Sequence, residues 1–283
     1  MHITDSQYIQ SKQNSHIFLA HYLPADQKAD SNNSRVVILV PPFAEEMNRS
    51  KRMYVLCARL LANSGIHALC FDFSGTGDSS GEWGEFSYDD WVSDLKVVYD
   101  YAKSIASEVN FVALRFGALI LADAAKDDRV SANKCIFWDP IEKGESLTRQ
   151  LVRMKIAAAM ADEAKKITTR DVIDSMNHEG LLESAGYHVS RLMFEDIKSK
   201  NLFDLMPTVA DKTDVHWMTL GKHKDTENKW LANSFTYSDF DACANVNRMH
   251  MHPVNDVKFW MQQEVTISPR LLAVTHEVFT GEQ

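Results

Sequence analysis

Residue 115 is an arginine placed where an apolar strand, 110–114, runs straight into an apolar helix, 116–125. A strand that passes directly into a helix must turn sharply, and the residue at the turn is held up at the helix start. There the first N–H groups of the helix have no partners within it, and the positive end of its dipole faces outward. Arg115 adds a permanent charge and five N–H donors, but it is no nucleophile. Together these suit an anion: a carboxylate, a phosphate or a polarised acyl carbonyl. Two acids, Glu45 and Glu46, stand in a loop expected to face the turn, and either could pair with Arg115 and plug the site. For proton transfer the candidates are Glu46, Asp225 and His252, each able to act as a general base toward water. Trp260 offers an indole that can lie on the guanidinium while its N–H serves a ligand, although a core tryptophan has the same signature. No Cys or His spacing matches a metal site, so neither a metal nor a cofactor is expected.

The elements that must position these residues are legible as an alternation. Residues 15–22 form an early antiparallel strand, and the Asp-, Asn- and Ser-rich stretch 26–34 reads as a turn. The β-branched run 35–40 is a strand buried on both faces, followed by a helix over about 50–63. Strands at 66–73, 110–114 and 134–138 alternate with helices at 87–106 and 116–125, which predicts a mostly parallel α/β sheet flanked by helices. From 142 to 201 the strand pattern gives way to helical stretches, read as a helical cap inserted into a core domain made of 1–141 and 202–283. Strands at 215–220 and 246–252 and a last helix over 268–279 complete the core. In the cap, Met154, 157–160, Leu181, Leu182, Leu192, Met193 and Phe194 fit core packing by spacing, while flexible methionines also suit an acyl chain. No internal repeat or low-complexity tract interrupts the pattern.

Composition excludes some partners. The chain has 283 residues and a formal net charge of −9, which argues against nucleic acid, whose binders need a concentrated basic surface. The short pairs Lys51-Arg52 and Lys165-Lys166 read as solvated helix faces. The four cysteines, Cys57, Cys70, Cys135 and Cys243, are far apart and lie in or beside apolar stretches, as buried thiols do in a reducing compartment. No signal peptide and no membrane-spanning stretch is evident, so the expected location is cytoplasmic.

Three motifs in order carry a family resemblance. Pro41-Pro42-Phe43-Ala44-Glu45-Glu46 resembles the oxyanion loop of lipases and related hydrolases, with proline at its first two positions. Asp72-Phe73-Ser74-Gly75-Thr76-Gly77-Asp78-Ser79 is similar to the glycine turn after the fourth strand, with Asp72, Gly75, Gly77 and Ser79 in structural roles. Ala113-Leu114-Arg115-Phe116-Gly117 resembles the nucleophile elbow, with arginine where serine is expected. The chain thus resembles the α/β-hydrolase superfamily. The stretches 41–48, 77–81, 114–117 and Phe259-Trp260 look like the exosortase-associated hydrolase family of the second type. That resemblance implies a bacterial setting of surface-protein sorting and exopolysaccharide production.

By the same resemblance, the oxyanion donors are the backbone N–H groups of Phe43 and Phe116. The acid is expected after the strand 215–220, where Asp225 is offered, a surface carboxylate capping the next helix being the equal alternative, and the base is expected after the last strand. Two registers compete there. One places His252 as base; the other, favoured, places an aromatic residue of the Phe259-Trp260 pair there and leaves His250 and His252 on one strand face. The expected ligand is an anionic, acyl-bearing small molecule. The alternatives are an ester, thioester or amide hydrolase working through activated water, and a scaffold whose partner is another protein or a second copy of the chain.

Overall fold

The computed structural model describes residues 4–11, 15–24, 34–161, 166–222 and 248–281. Ten strands are present: β1 (Thr4–Gln10), β2 (His16–Tyr22), β3 (Arg35–Val40), β4 (His67–Phe71), β5 (Glu108–Leu114), β6 (Lys134–Trp138), β7 (Leu181–Ser184), β8 (Tyr187–Ser190), β9 (Asp214–Leu220) and β10 (Met249–Val254). The helices are α1 (Glu45–Asn63), α2 (Tyr88–Ile105), α3 (Gly117–Lys126), α4 (Gly144–Ala161), α5 (Thr169–Glu179), α6 (Arg191–Ser199), α7 (Leu202–Lys212) and α8 (Pro269–Thr280). Eight strands form one sheet in the order β1-β2-β4-β3-β5-β6-β9-β10, antiparallel at β1/β2 and β2/β4 and parallel elsewhere.

Alternation along the buried strands divides the core. Val36, Ile38, Phe111, Ala113, Phe137 and Trp217 face the cluster built with α2, α3 and α7. Their neighbours Val37, Leu39, Val112, Leu114, Trp138 and Met218 face α1 and α8. Side chains one apart on a strand point to opposite faces, so a run such as 35–40 must be apolar throughout once both faces are covered.

Three expectations are corrected. Helix α1 starts at Glu45 and not near Ser50, because Ala44 at φ 52° turns the chain directly into it and the two glutamates occupy its first turn, where negative charge meets the positive end of the dipole. The segment 142–201 is not purely helical: β7 and β8 pair as a hairpin through Ala185 and Gly186, both at positive φ, the twist a two-residue turn requires. In that segment Leu182, Met193 and Phe194 are core residues, but residues 157 and 158, Met160 and Leu192 are exposed. Its ends meet, since Lys143 bridges Asn201 and the N–H of Leu202 donates to the carbonyl of Glu142 at 2.7 Å.

The glycine turn after β4 is a structural knot. The Asp72 carboxylate accepts from the N–H of Asp78 at 3.0 Å and from Lys51 Nζ at 3.2 Å, Lys51 reaching it from the exposed face of α1. A Cβ on Gly77 would overlap that carboxylate. Cys57 and Cys135 are buried, Cys70 is half-buried, and burial pushes the Cys70 thiol up to about 12; Cys243 lies outside the described residues. No helix among the described residues is long and apolar enough to cross a membrane.

Candidate functional site

The site forms where the parallel strands end, the place at which open α/β sheets present their loops. Arg115 leaves β5 at φ 52°, a left-handed conformation that costs a residue with a Cβ about 1–2 kcal/mol. Three backbone bonds hold it there. Its N–H donates to the Trp138 carbonyl at 3.0 Å, and its own carbonyl accepts from Ala118 at 3.3 Å and from Ile141 at 3.2 Å. The turn is thereby set by β6 and α3 together, whatever the side chain.

The guanidinium is 20% exposed and contacts three groups. Nε donates to Glu46 Oε1 at 3.4 Å, and Nη1 donates to the Asp139 carbonyl at 3.1 Å and to its carboxylate at 3.4 Å. Trp260 lies under it, with Cζ 5.5 Å from the ring centroid. Nη2, with two N–H groups, donates to no acceptor among the described residues.

Asp139 and Lys258 are the residues that sequence reasoning missed. Asp139 follows β6 directly, at φ 43°, and its carboxylate is only 7% exposed. It accepts from Lys258 Nζ at 3.0 Å and from the N–H of Leu220 at 3.1 Å, besides Arg115. Lys258 stands in the loop after β10, where the resemblance looked for a base, two residues before Trp260. An acid ahead of a proline at a strand's C-terminal end was the available signal for Asp139; nothing in the sequence singled out Lys258.

Of the two facing glutamates only Glu46 reaches Arg115. Glu45 accepts from Arg49 Nε at 3.1 Å and from the Tyr187 hydroxyl at 3.0 Å, tying α1 to the β7–β8 hairpin. Glu46 is buried, and its Oε2 has no partner among the described residues. Burial pushes its carboxyl above the usual range; Arg115 counters this, and the charge of Asp139 reinforces it. A carboxyl raised in the folded chain contributes stability at low pH that is lost as pH rises from about 4.5 through its folded value. Glu46→Gln is uncharged throughout, so its melting temperature should gain on that of the wild type as the pH is raised from 4 to 8. A melting temperature of Glu46→Gln that instead loses ground on the wild type over that range would mean that the Arg115 pair outweighs desolvation.

The remaining predicted residues fall as follows. The rings of Phe43 and Phe116 are buried against each other, centroids 5.1 Å apart, and neither backbone N–H has an acceptor among the described residues. Trp260 is 2% exposed and packs on Phe259 as part of the core; its Nε1 has no partner among the described residues. His252 is not brought to Arg115. Its Nε2 lies 3.0 Å from His216 Nδ1, and His216 also stacks on His250, so the two strand histidines share one face of β10. Met218 and Val254 show that this is the α8 side of the sheet. Burial lowers the pKa of His252 and brings that of His216 to about 3. Asp225 lies outside the described residues.

Arg115, Asp139 and Lys258 line a cavity of about 440 Å³, closed on one side by Ser146, Leu147 and Gln150 of α4. Its walls mix two cations, two acids, uncharged polar groups and apolar surface.

No family model matches the chain, and no curated protein matches it. Among solved structures it is similar to Est1E from Butyrivibrio proteoclasticus with ferulic acid bound, at 14% identity and a TM-score of 0.63, covering 97% of this chain and 96% of that one. It is also similar to the Pyrococcus furiosus esterase Pf2001, at 12% identity and a TM-score of 0.58, covering 99% and 88%. The eight-stranded, mostly parallel sheet with flanking helices is thus the α/β-hydrolase fold.

Proposed function

We propose that this chain uses the position of a hydrolase nucleophile to hold an anion: an acyl-bearing small molecule whose negative end meets Arg115. The observation that carries this reading is that Nη2 of Arg115 donates to no acceptor among the described residues, on a guanidinium that lines a 440 Å³ cavity. Its inner nitrogens are spent on Glu46 and Asp139, which fix its direction, while Nη2 and Lys258 offer charge to the cavity. Contacts to charged groups contribute about 1.5–3 kcal/mol each, and the apolar wall of Leu147, Ile141 and Trp217 suits an acyl body. Serine acyl-enzyme chemistry at residue 115 is given up on this reading. The resemblance of 41–48 and 114–117 to the exosortase-associated hydrolase family supports a ligand drawn from the cytoplasmic chemistry of exopolysaccharide production.

Calorimetric titration with octanoate, acetyl phosphate and a non-hydrolysable thioester analogue tests the reading. Arg115→Ala should weaken at least one of these about tenfold or more, with Arg115→Lys intermediate. Equal affinities in all three proteins would sink it.

A second reading, hydrolysis through activated water, is favoured by the N–H groups of Phe43 and Phe116, which have no acceptor among the described residues, and by Glu46 beside the guanidinium. It requires ester or thioester turnover that Glu46→Gln abolishes.

A further inference from the structure

The segment 142–201 holds a second cavity, of about 370 Å³, against α4. Ser146, Leu147 and Gln150 of that helix face the Arg115 cavity, whereas Glu145, Thr148, Arg149, Val152 and Arg153 face this one. At 100° per residue the two sets occupy largely opposite sides of one helix. The floor is apolar: Val152 and Phe194 are buried, and Ile173 of α5 is half-buried.

Three cations stand around this floor: Arg149 and Arg153, one helical turn apart, and Lys198 from α6. Arg149 donates to Glu145 at 2.6 Å, and Lys198 lies 3.6 Å from Glu195. Arg153 has no ion pair and no acceptor among the described residues. Among the described lining residues Glu145 is the one acid against three cations, so these residues carry an excess of positive charge. Thr169 brings the first turn of α5, where the Asp171 carboxylate of the capping box offsets the helix dipole, so the positive charge of the groove is that of the side chains.

From this lining we infer that the groove between α4, α5 and α6 binds a soluble single-chain acyl anion, with its head at Arg153 and Lys198 and its chain on Val152, Ile173 and Phe194. The volume lies at the small end of ligand cavities, matching a chain of medium length and not a folded peptide. Charge complementarity selects an anion, and the apolar floor selects a chain over inorganic phosphate. The site stands independently of the reading of the Arg115 cavity.

Sodium decanoate titrated calorimetrically into the full chain is the test, with decanol and phosphatidylglycerol vesicles as comparison probes. Both cations of the double variant Arg153→Gln/Lys198→Gln are exposed, so the fold should persist by circular dichroism. Decanoate binding at this site is the part that survives in Arg115→Ala, and its affinity should fall about tenfold or more when Arg153→Gln and Lys198→Gln are added to that variant. Equal binding with and without those two changes, equal binding of decanol, or response to vesicles without response to decanoate would each overturn the assignment. Absence of any decanoate binding in Arg115→Ala would assign the decanoate to the other cavity, and so also overturn this one.

Discussion

Asp139→Asn is expected to lower the free energy of unfolding by about 3 kcal/mol and, in the same protein, to tighten the binding of carboxylates. The wild-type carboxylate is nearly enclosed and accepts from Arg115, Lys258 and the N–H of Leu220. Removing one member of a buried ion cluster leaves the others uncompensated, which costs about 3–5 kcal/mol in fully buried cases. Lys258 is 38% exposed and can turn to water, which holds the cost to the lower end of that range. In a chain of this size such a loss corresponds to a fall in melting temperature of about 6–10 °C.

The second half of the expectation follows from what Asp139 is to its neighbours. It is a tethered carboxylate seated between the same two cations that a ligand carboxylate would use. The neutral amide gives both cations back to the cavity, and octanoate should bind about tenfold more tightly. Chemical denaturation and calorimetry on one variant read both effects. A variant that loses stability and binding together would make Asp139 a positioning residue that aims Arg115, and the idea of an internal competitor would fall.

Gly117→Ala carries the other large effect. A Cβ at residue 117 would stand 2.6 Å from the Val40 carbonyl oxygen and 2.8 Å from that of Pro41. Both obstacles are backbone, at the point where β3 passes into the loop that bears Phe43, so neither can swing aside as a side chain would. Overpacking of this kind costs about 1–3 kcal/mol, and the rigidity of a sheet strand places this site near the upper limit. The loop must also shift relative to α3, which separates the N–H groups of Phe43 and Phe116. Urea unfolding should therefore show a loss of about 2–3 kcal/mol. A loss under about 0.5 kcal/mol would show that the close approach of loop and helix is not a constraint.

How much of the site was legible depended on whether its residues were near each other in the chain. Arg115 was found because strand, turn and helix are local, and their hydrophobic patterns meet at one residue. The choice between Glu45 and Glu46 was not open to sequence reasoning once the start of α1 was placed near Ser50. In a loop the two acids are equivalent, but in a helix they diverge by 100°, so one reaches Arg115 and the other reaches Arg49 and Tyr187. The strand histidines were legible for the same local reason: residues two apart share a face.

The sequence by itself determined that strands and helices alternate into a mostly parallel sheet, and that an arginine stands at its sharpest strand-to-helix turn. Those facts follow from periodicity over a few residues. Only the tertiary structure decided what the arginine does there. Asp139 and Lys258 are distant from Arg115 in sequence and from each other, and they meet because β5, β6, β9 and β10 lie side by side and end on one edge. Strand order is a property of the assembled sheet, set by packing across both faces, so the chemistry at residue 115 belongs to the fold and not to the motif.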